Sequence, residues 1–221
     1  MSLNIIDTKD IEEISDFVAS SINRELEKGH KVLWFATGGS SIKIESKIIE
    51  KINKNYKEQL VVTLTDERFG SLDHVDSNWF QLKENGFDMS SIKVLPFLNG
   101  KSYRETIEEL RKKIKIELDR ADYKIGMFGL GMDGHIAGIL PRSDAVNSSE
   151  FICAYDTPQY DRITITPSVI SKLDEAVLCA LGDTKWPMVE KLEQDFPIDE
   201  IPSQILKRVP LLTIFSDYTK H

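Results

Sequence analysis

Unbroken apolar runs, each closed by a polar or glycine-rich turn and followed by an amphipathic helix, constrain the fold of this 221-residue chain most tightly. Val32-Leu-Trp-Phe-Ala36, Leu60 to Leu64 and Ala176 to Leu181 are the clearest. A strand with one solvated face alternates polar and apolar residues, so continuous runs require cover on both faces. Between them, residues 10–28 place Ile11, Ile14, Phe17, Val18, Ile22 and Leu26 on one helical face that stops at Gly29. Further helices are predicted over 42–52, from about Ser77, from the capping box Ser102-Tyr-Arg-Glu105, and over 184–192. Ile92–Phe97, Ile125–Phe128, Phe151–Tyr155, Val209–Phe215 and the alternating Arg162-Ile-Thr-Ile-Thr166 read as additional strands. Strands alternating with helices predict one α/β domain over residues 1–221, a mostly parallel Rossmann-like sheet with helices on both faces.

Composition narrows the partners. A net charge of −8 and a pI near 5.1 argue against a nucleic-acid binder. Cys153 and Cys179 each sit in an apolar run without Cys-x-x-Cys or Cys/His spacing, so buried side chains are expected and no metal or cofactor. The chain has no leader-like start and no apolar stretch of membrane length. A cytoplasmic protein is expected, a monomer or weak homo-oligomer, whose partner is a small molecule rather than nucleic acid or membrane.

Ligands of parallel sheets bind at the carboxyl ends of the strands. Four turns occupy such ends: Thr37–Ser41, Thr65–Arg68, Gly129–His135 and Gly182–Lys185. They are expected to face one crevice. Gly38, Gly39, Ser40 and Ser41 open a helix, where free amides and hydroxyls suit an anion; an ordinary serine-capped turn would look the same. Lys185, at a helix start with Asp183 or Thr184 as expected cap, opposes the helix dipole unless an anion or solvent compensates. Arg68 and Arg162 offer forks for phosphate or carboxylate, or else form surface ion pairs. In Gly129-Leu-Gly-Met-Asp-Gly-His-Ile-Ala-Gly138, Asp133 and His135 form an acid–base pair, and the loop glycines Gly129, Gly131 and Gly134 place amides beside it. The same glycines spell the dinucleotide pattern G-x-G-x-x-G, but Pro141 denies the helix that pattern requires. No glycine loop carries a Walker lysine. Of the other histidines, His74 stands out only for its run Asp73–Asn78, read as a loop leading into a helix cap.

These residues together resemble the 6-phosphogluconolactonase family, within the glucosamine-6-phosphate isomerase/deaminase-like superfamily. Thr37-Gly-Gly-Ser-Ser41 is similar to its S-G-G-S-T turn, and Asp66-Glu-Arg68 with His74-Val-Asp-Ser-Asn78 to its D-E-R…H-x-x-S-N block. Gly129-Leu-Gly-Met-Asp-Gly-His-Ile-Ala137 matches G-x-G-x-D-G-H-x-A, the most specific signal. Arg162–Thr166, Gly182–Lys185 and Ile201-Pro-Ser-Gln-Ile205 resemble three further segments in register. The resemblance implies that fold and hydrolysis of 6-phospho-D-glucono-1,5-lactone, a carboxylic ester hydrolase reaction of the pentose phosphate route. It implies His135 as base, Asp133 to orient the ring or the substrate, and loop amides for the oxyanion. Gly38, Gly39, Ser40, Arg68 and Lys185 would hold phosphate, with Asn78 and Arg162 as further contacts. Five residues after the histidine the deaminase branch carries an acid; here stands Leu140. Ile42, Phe69 and Gly138 depart from the family pattern. The alternatives are a deaminase-like enzyme and a non-catalytic sugar-phosphate-binding regulator.

Overall fold

The computed structural model describes residues 3–90 and 92–218. In chain order the elements are β1 (Asn4–Asp7), α1 (Ile11–Glu27), β2 (Val32–Ala36), α2 (Ile42–Lys51), β3 (Leu60–Leu64), β4 (Asp66–Arg68) and α3 (Asn78–Glu84). They continue with β5 (Lys93–Leu95), α4 (Tyr103–Arg120), β6 (Tyr123–Gly129), β7 (Ile152–Asp156), β8 (Asp161–Ile165), α5 (Pro167–Ile170), β9 (Glu175–Ala180), α6 (Trp186–Leu192) and β10 (Leu211–Ser216). Short 3₁₀ segments occupy Gly39–Ser41, Lys54–Gln59, Asp183–Lys185 and Pro202–Arg208.

Seven strands form an all-parallel sheet in the order β1-β10-β9-β6-β2-β3-β5. From β2 the chain steps outward through β3 to β5, then returns through β6 and β9 to β10. Right-handed crossovers therefore put α1, α2 and α3 on one face and α4 and α6 on the other. Both faces are covered, as the apolar runs require; all of β2 is buried, and Trp34, Phe35, Phe128 and Phe215 fill the core. The direction of winding reverses between β2 and β6, which pair side by side from Val32↔Tyr123 to Phe35↔Gly126. The Thr37 and Gly129 turns thus leave adjacent strands at the switch point, where open α/β sheets form their crevice.

Local chemistry fixes the helix ends. Asp10 caps α1 through the Glu12 amide at 2.9 Å, and Gly29 ends that helix at φ +84°. Ser77 caps α3, and Ser102 with Glu105 closes the capping box of α4. Neither Asp183 nor Thr184 caps α6; Lys185 itself is its N-cap residue, without a side-chain bond.

Two parts of the fold differ from the sequence reading. The strand expected over 92–97 shrinks to Lys93–Leu95, and Phe97 is buried in the core beyond it. The Arg162 strand does not join the main sheet: β8 is the middle of a separate antiparallel sheet, β4-β8-β7. Its alternation is what an antiparallel strand with two different faces demands. Cys153 and Cys179 are both buried, as expected.

Candidate active site

A cleft of about 270 Å³ opens where β2, β4, β6 and β8 converge. Its lining draws on all four segments expected as turns, of which Asp66–Arg68 is instead the strand β4: Gly38, Gly39 and Ser40; Asp66 and Arg68; Gly129, Gly131 and His135; and Lys185. Arg162 completes it from β8 and Asn78 from the start of α3. A larger groove, about 730 Å³, lies at the amino ends of β1 and β10, but there Lys207 is already paired with Asp195 at 3.1 Å. The smaller cleft gathers the chemistry.

The glycine turn is built for close approach. A Cβ at Gly38 would lie 2.1 Å from Asn78 Oδ1, so only glycine lets the turn rest on that amide. Gly39 takes φ +68° and opens a short helical turn, whose first amides have no intrahelical partner. Asn78 is buried beneath: its Nδ2 donates to the Asp66 carbonyl at 2.9 Å, which ties the glycine turn to β4. Ser41 departs from the expectation. Its side chain is buried, its Oγ finds no partner, and it does not line the cleft.

Two arginines face one another across the small sheet. Arg68 and Arg162 are directly opposed partners of β4 and β8, an arrangement in which like charges repel. Arg162 Nη1 lies 3.4 Å from Asp66 Oδ2, while Arg68 donates to the Asp76 carbonyl at 2.8 Å and sits 5.6 Å above the Tyr160 ring. The Nε atoms of both guanidiniums are buried without an acceptor. Lys185 adds a third cation, with no ion pair among the described residues. Asp66 is the one carboxylate on the lining, so the cleft is a cationic spot on an acidic protein.

The Gly129–His135 turn is held from within. Gly131 N–H donates to the His135 carbonyl at 2.8 Å and Gly134 N–H to the Gly131 carbonyl at 3.0 Å. These bonds correct one expectation: the Gly131 and Gly134 amides are engaged inside the turn and are not donors for an oxyanion. Gly134, at φ +85°, does not reach the cleft; a Cβ there would lie 2.8 Å from Ile201. Gly131 is required by approach, since its Cβ would stand 2.1 Å from His135 Nδ1. Asp133 Oδ1 accepts from both the His135 amide, 3.1 Å, and Nδ1, 2.6 Å. Partial burial works against its charge, but the His135 amide and ring hold the Asp133 carboxyl below the usual range. A proton fixed on Nδ1 leaves Nε2 as the acceptor on a ring that lines the cleft. Asp133 itself lies on a neighbouring cleft and contacts the ring from there.

Three acids carry this site without having been singled out as site residues. Burial raises the Asp66 carboxyl pKa, opposed by Arg162, Arg68 and a Thr65 hydroxyl bond. Glu67, wholly buried, accepts from the amides of Arg68, Asn78 and Trp79 and from the Ser77 hydroxyl, at 2.7–3.1 Å. It fastens the α3 N-terminus to β4. Glu45 of α2, also wholly buried, accepts the Thr37 amide at 2.5 Å under the glycine turn. Burial pushes its carboxyl well above the usual range, Asp66 adds to this, and the Thr37 bond opposes it. A signal for Glu45 was present: it shares the apolar face of Ile42, Ile48 and Ile49. His74 also gains a role, with Nε2 3.0 Å from the Arg68 carbonyl.

The departures have local reasons. A side chain at Gly138 would press on Thr164 at 2.9 Å, and the Gly138 amide donates to the Thr164 hydroxyl at 3.0 Å. Phe69 packs edge-on to Tyr103 at 4.9 Å.

A parallel sheet with this switch-point cleft is the architecture of a known family. The chain belongs to the glucosamine-6-phosphate isomerases/6-phosphogluconolactonase family, whose model matches residues 8–213. Among its relatives, a glucosamine-6-phosphate deaminase of a Geobacillus species is 24% identical, over 97% of this chain and 93% of that protein. An Arabidopsis thaliana protein named "Probable 6-phosphogluconolactonase 1" is 24% identical over 87% of this chain and 81% of its own. The fold is that of the 6-phosphogluconolactonase from Thermotoga maritima, with a TM-score of 0.83 at 19% identity, covering 97% of this chain and 98% of that one.

Proposed function

We propose that this chain hydrolyses 6-phospho-D-glucono-1,5-lactone to 6-phosphogluconate, with His135 as general base. The observation that carries this reading is the 2.6 Å Asp133–His135 pair at a cleft lined by Arg68, Arg162 and Lys185. Phosphate sits against the glycine turn and these cations, which relieves the repulsion between the opposed arginines. His135 Nε2 takes a proton from water as the hydroxyl adds to C1. Asp133 steadies the imidazolium that results. The C1–O5 bond then breaks, O5 takes the proton from the imidazolium, and the carboxylic acid at C1 ionises to the carboxylate by losing its proton to solvent. Lys185 and Arg162 stand in place of the Gly131 and Gly134 amides as candidate partners for the developing oxyanion.

Leu140 favours hydrolysis over ring-opening proton relay. It lines the adjoining cleft beside Arg162 and has no ionisable group. Asp66 favours the second reading, an isomerase or deaminase of an amino-sugar phosphate. It is a buried proton acceptor in the same cleft, and a carboxyl with a raised pKa suits transfer between neighbouring carbons. Paired assays separate the two. Acid release from the lactone above its spontaneous rate, with no ammonia from glucosamine 6-phosphate, supports the lactonase. The converse supports the deaminase. Binding of 6-phosphogluconate with neither turnover leaves a sugar-phosphate-binding regulator.

A further inference from the structure

Two residues beyond Leu140 the chain enters the left-handed region at Arg142, φ +58°. That conformation suits glycine and is unfavourable for a residue with a Cβ. It is held by the Arg142 amide, which donates to the Asp199 carbonyl at 2.9 Å. The side chain is exposed, and its guanidinium makes no ion pair, hydrogen bond or ring contact among the described residues. It lines two clefts at once. One, about 610 Å³, it shares with Leu140 and Arg162; the other, about 570 Å³, it shares with Asp133 and Met132. Arg162 and Met132 in turn line the central cleft. An unengaged guanidinium therefore borders two clefts that adjoin the central one, through Arg162 in one and through Met132 beside Asp133 in the other.

We propose that Arg142 forms a second anion subsite, specific for the carboxylate created when the lactone opens. The inference rests on the lactonase reading and deepens it: the site takes a sugar acid phosphate by both of its charged ends. In this arrangement phosphate is held by the glycine turn and its cations, C1 lies at His135, and the new carboxylate is taken up from the adjoining clefts by Arg142. A guanidinium fork matches a carboxylate in two parallel bonds, whereas a neutral hydroxyl gains little from it. Asp144 and Asp156 line the cleft shared with Arg162, and Glu200 and Lys191 the other. Nearly balanced charge suits one carboxylate among hydroxyls and not a second phosphate.

The test is calorimetric titration of the full chain with 6-phosphogluconate and with glucitol 6-phosphate, which has the same phosphate and no carboxylate. Arg142→Gly is the informative variant, because glycine accepts φ +58° freely and the loop keeps its path. It weakens 6-phosphogluconate by about tenfold and leaves glucitol 6-phosphate unchanged, and Arg142→Lys falls between. Equal affinities of wild type and Arg142→Gly for both ligands overturn the subsite. If the wild type turns over the lactone at the same time, the functional reading survives and the subsite alone fails. Lactone turnover absent in the wild type overturns both.

Discussion

The two sheets of this molecule do different work. The seven-stranded parallel sheet is covered on both faces and lines the cleft mainly through the turns at the carboxyl ends of β2, β6 and β9. The three-stranded antiparallel sheet places strand residues themselves in the cleft: Asp66 and Arg68 from β4, Arg162 from β8. The first holds the base and the glycine turn in register through backbone pairing. The second sets the two arginines, and it depends on buried charge, with Glu67 gripping three amides and a hydroxyl at the β4–α3 junction. In the proposed reaction, catalytic geometry is a matter of packing and ligand binding a matter of electrostatics.

That division can be broken from either side. The largest effect is expected at Gly131→Ala on the main-sheet side, where the added methyl would overlap the His135 ring. kcat should fall by at least about a hundredfold, with phosphate-ligand affinity little changed. A variant that loses affinity and keeps kcat would erase the distinction. On the other side, Glu67→Ala should cost about 3 kcal/mol in urea denaturation, because three N–H groups and a hydroxyl lose their acceptor. It should also raise KM, since Arg68 and Asn78 lose their anchor; stability lost with KM unchanged would separate Glu67 from the site.

A smaller effect concerns Glu45. Its folded pKa is raised above that of the unfolded chain, so its contribution to stability is complete below the unfolded value and is lost as pH rises through the folded one. Glu45→Gln keeps an acceptor for the Thr37 amide and cannot ionise. Its Tm relative to wild type should therefore increase from pH 4.5 towards neutrality. A difference that stays constant with pH would show that Glu45 is not held protonated.

The same division governs what could be read in advance. Val32–Ala36 and Leu60–Leu64 lie where their apolar runs put them, because burial on both faces leaves no other pattern. The edge strand Asn4–Asp7 was not legible: its side chains are only partly covered, so no apolar run marks it. β4 was hidden for another reason. Asp66-Glu-Arg68 looks like a charged turn, and the buried Glu67 finds amide partners in α3, eleven residues on. Side-chain direction was legible less often still. Ser41 points inward rather than to the cleft, and the Gly131 and Gly134 amides close their own turn. Spacing told which residues gather at the crevice; partners at long range decide what each one does there.

In the proposed reaction His135, oriented by Asp133, is the base of a lactone hydrolysis. The direct measurement is the rate of acid release from 6-phospho-D-glucono-1,5-lactone above its spontaneous opening, for the wild type and for His135→Ala. For His135→Ala, kcat should fall by about 10²–10⁴-fold, with Tm and 6-phosphogluconate affinity retained. His135→Ala turning over the lactone within about twofold of wild type would contradict it.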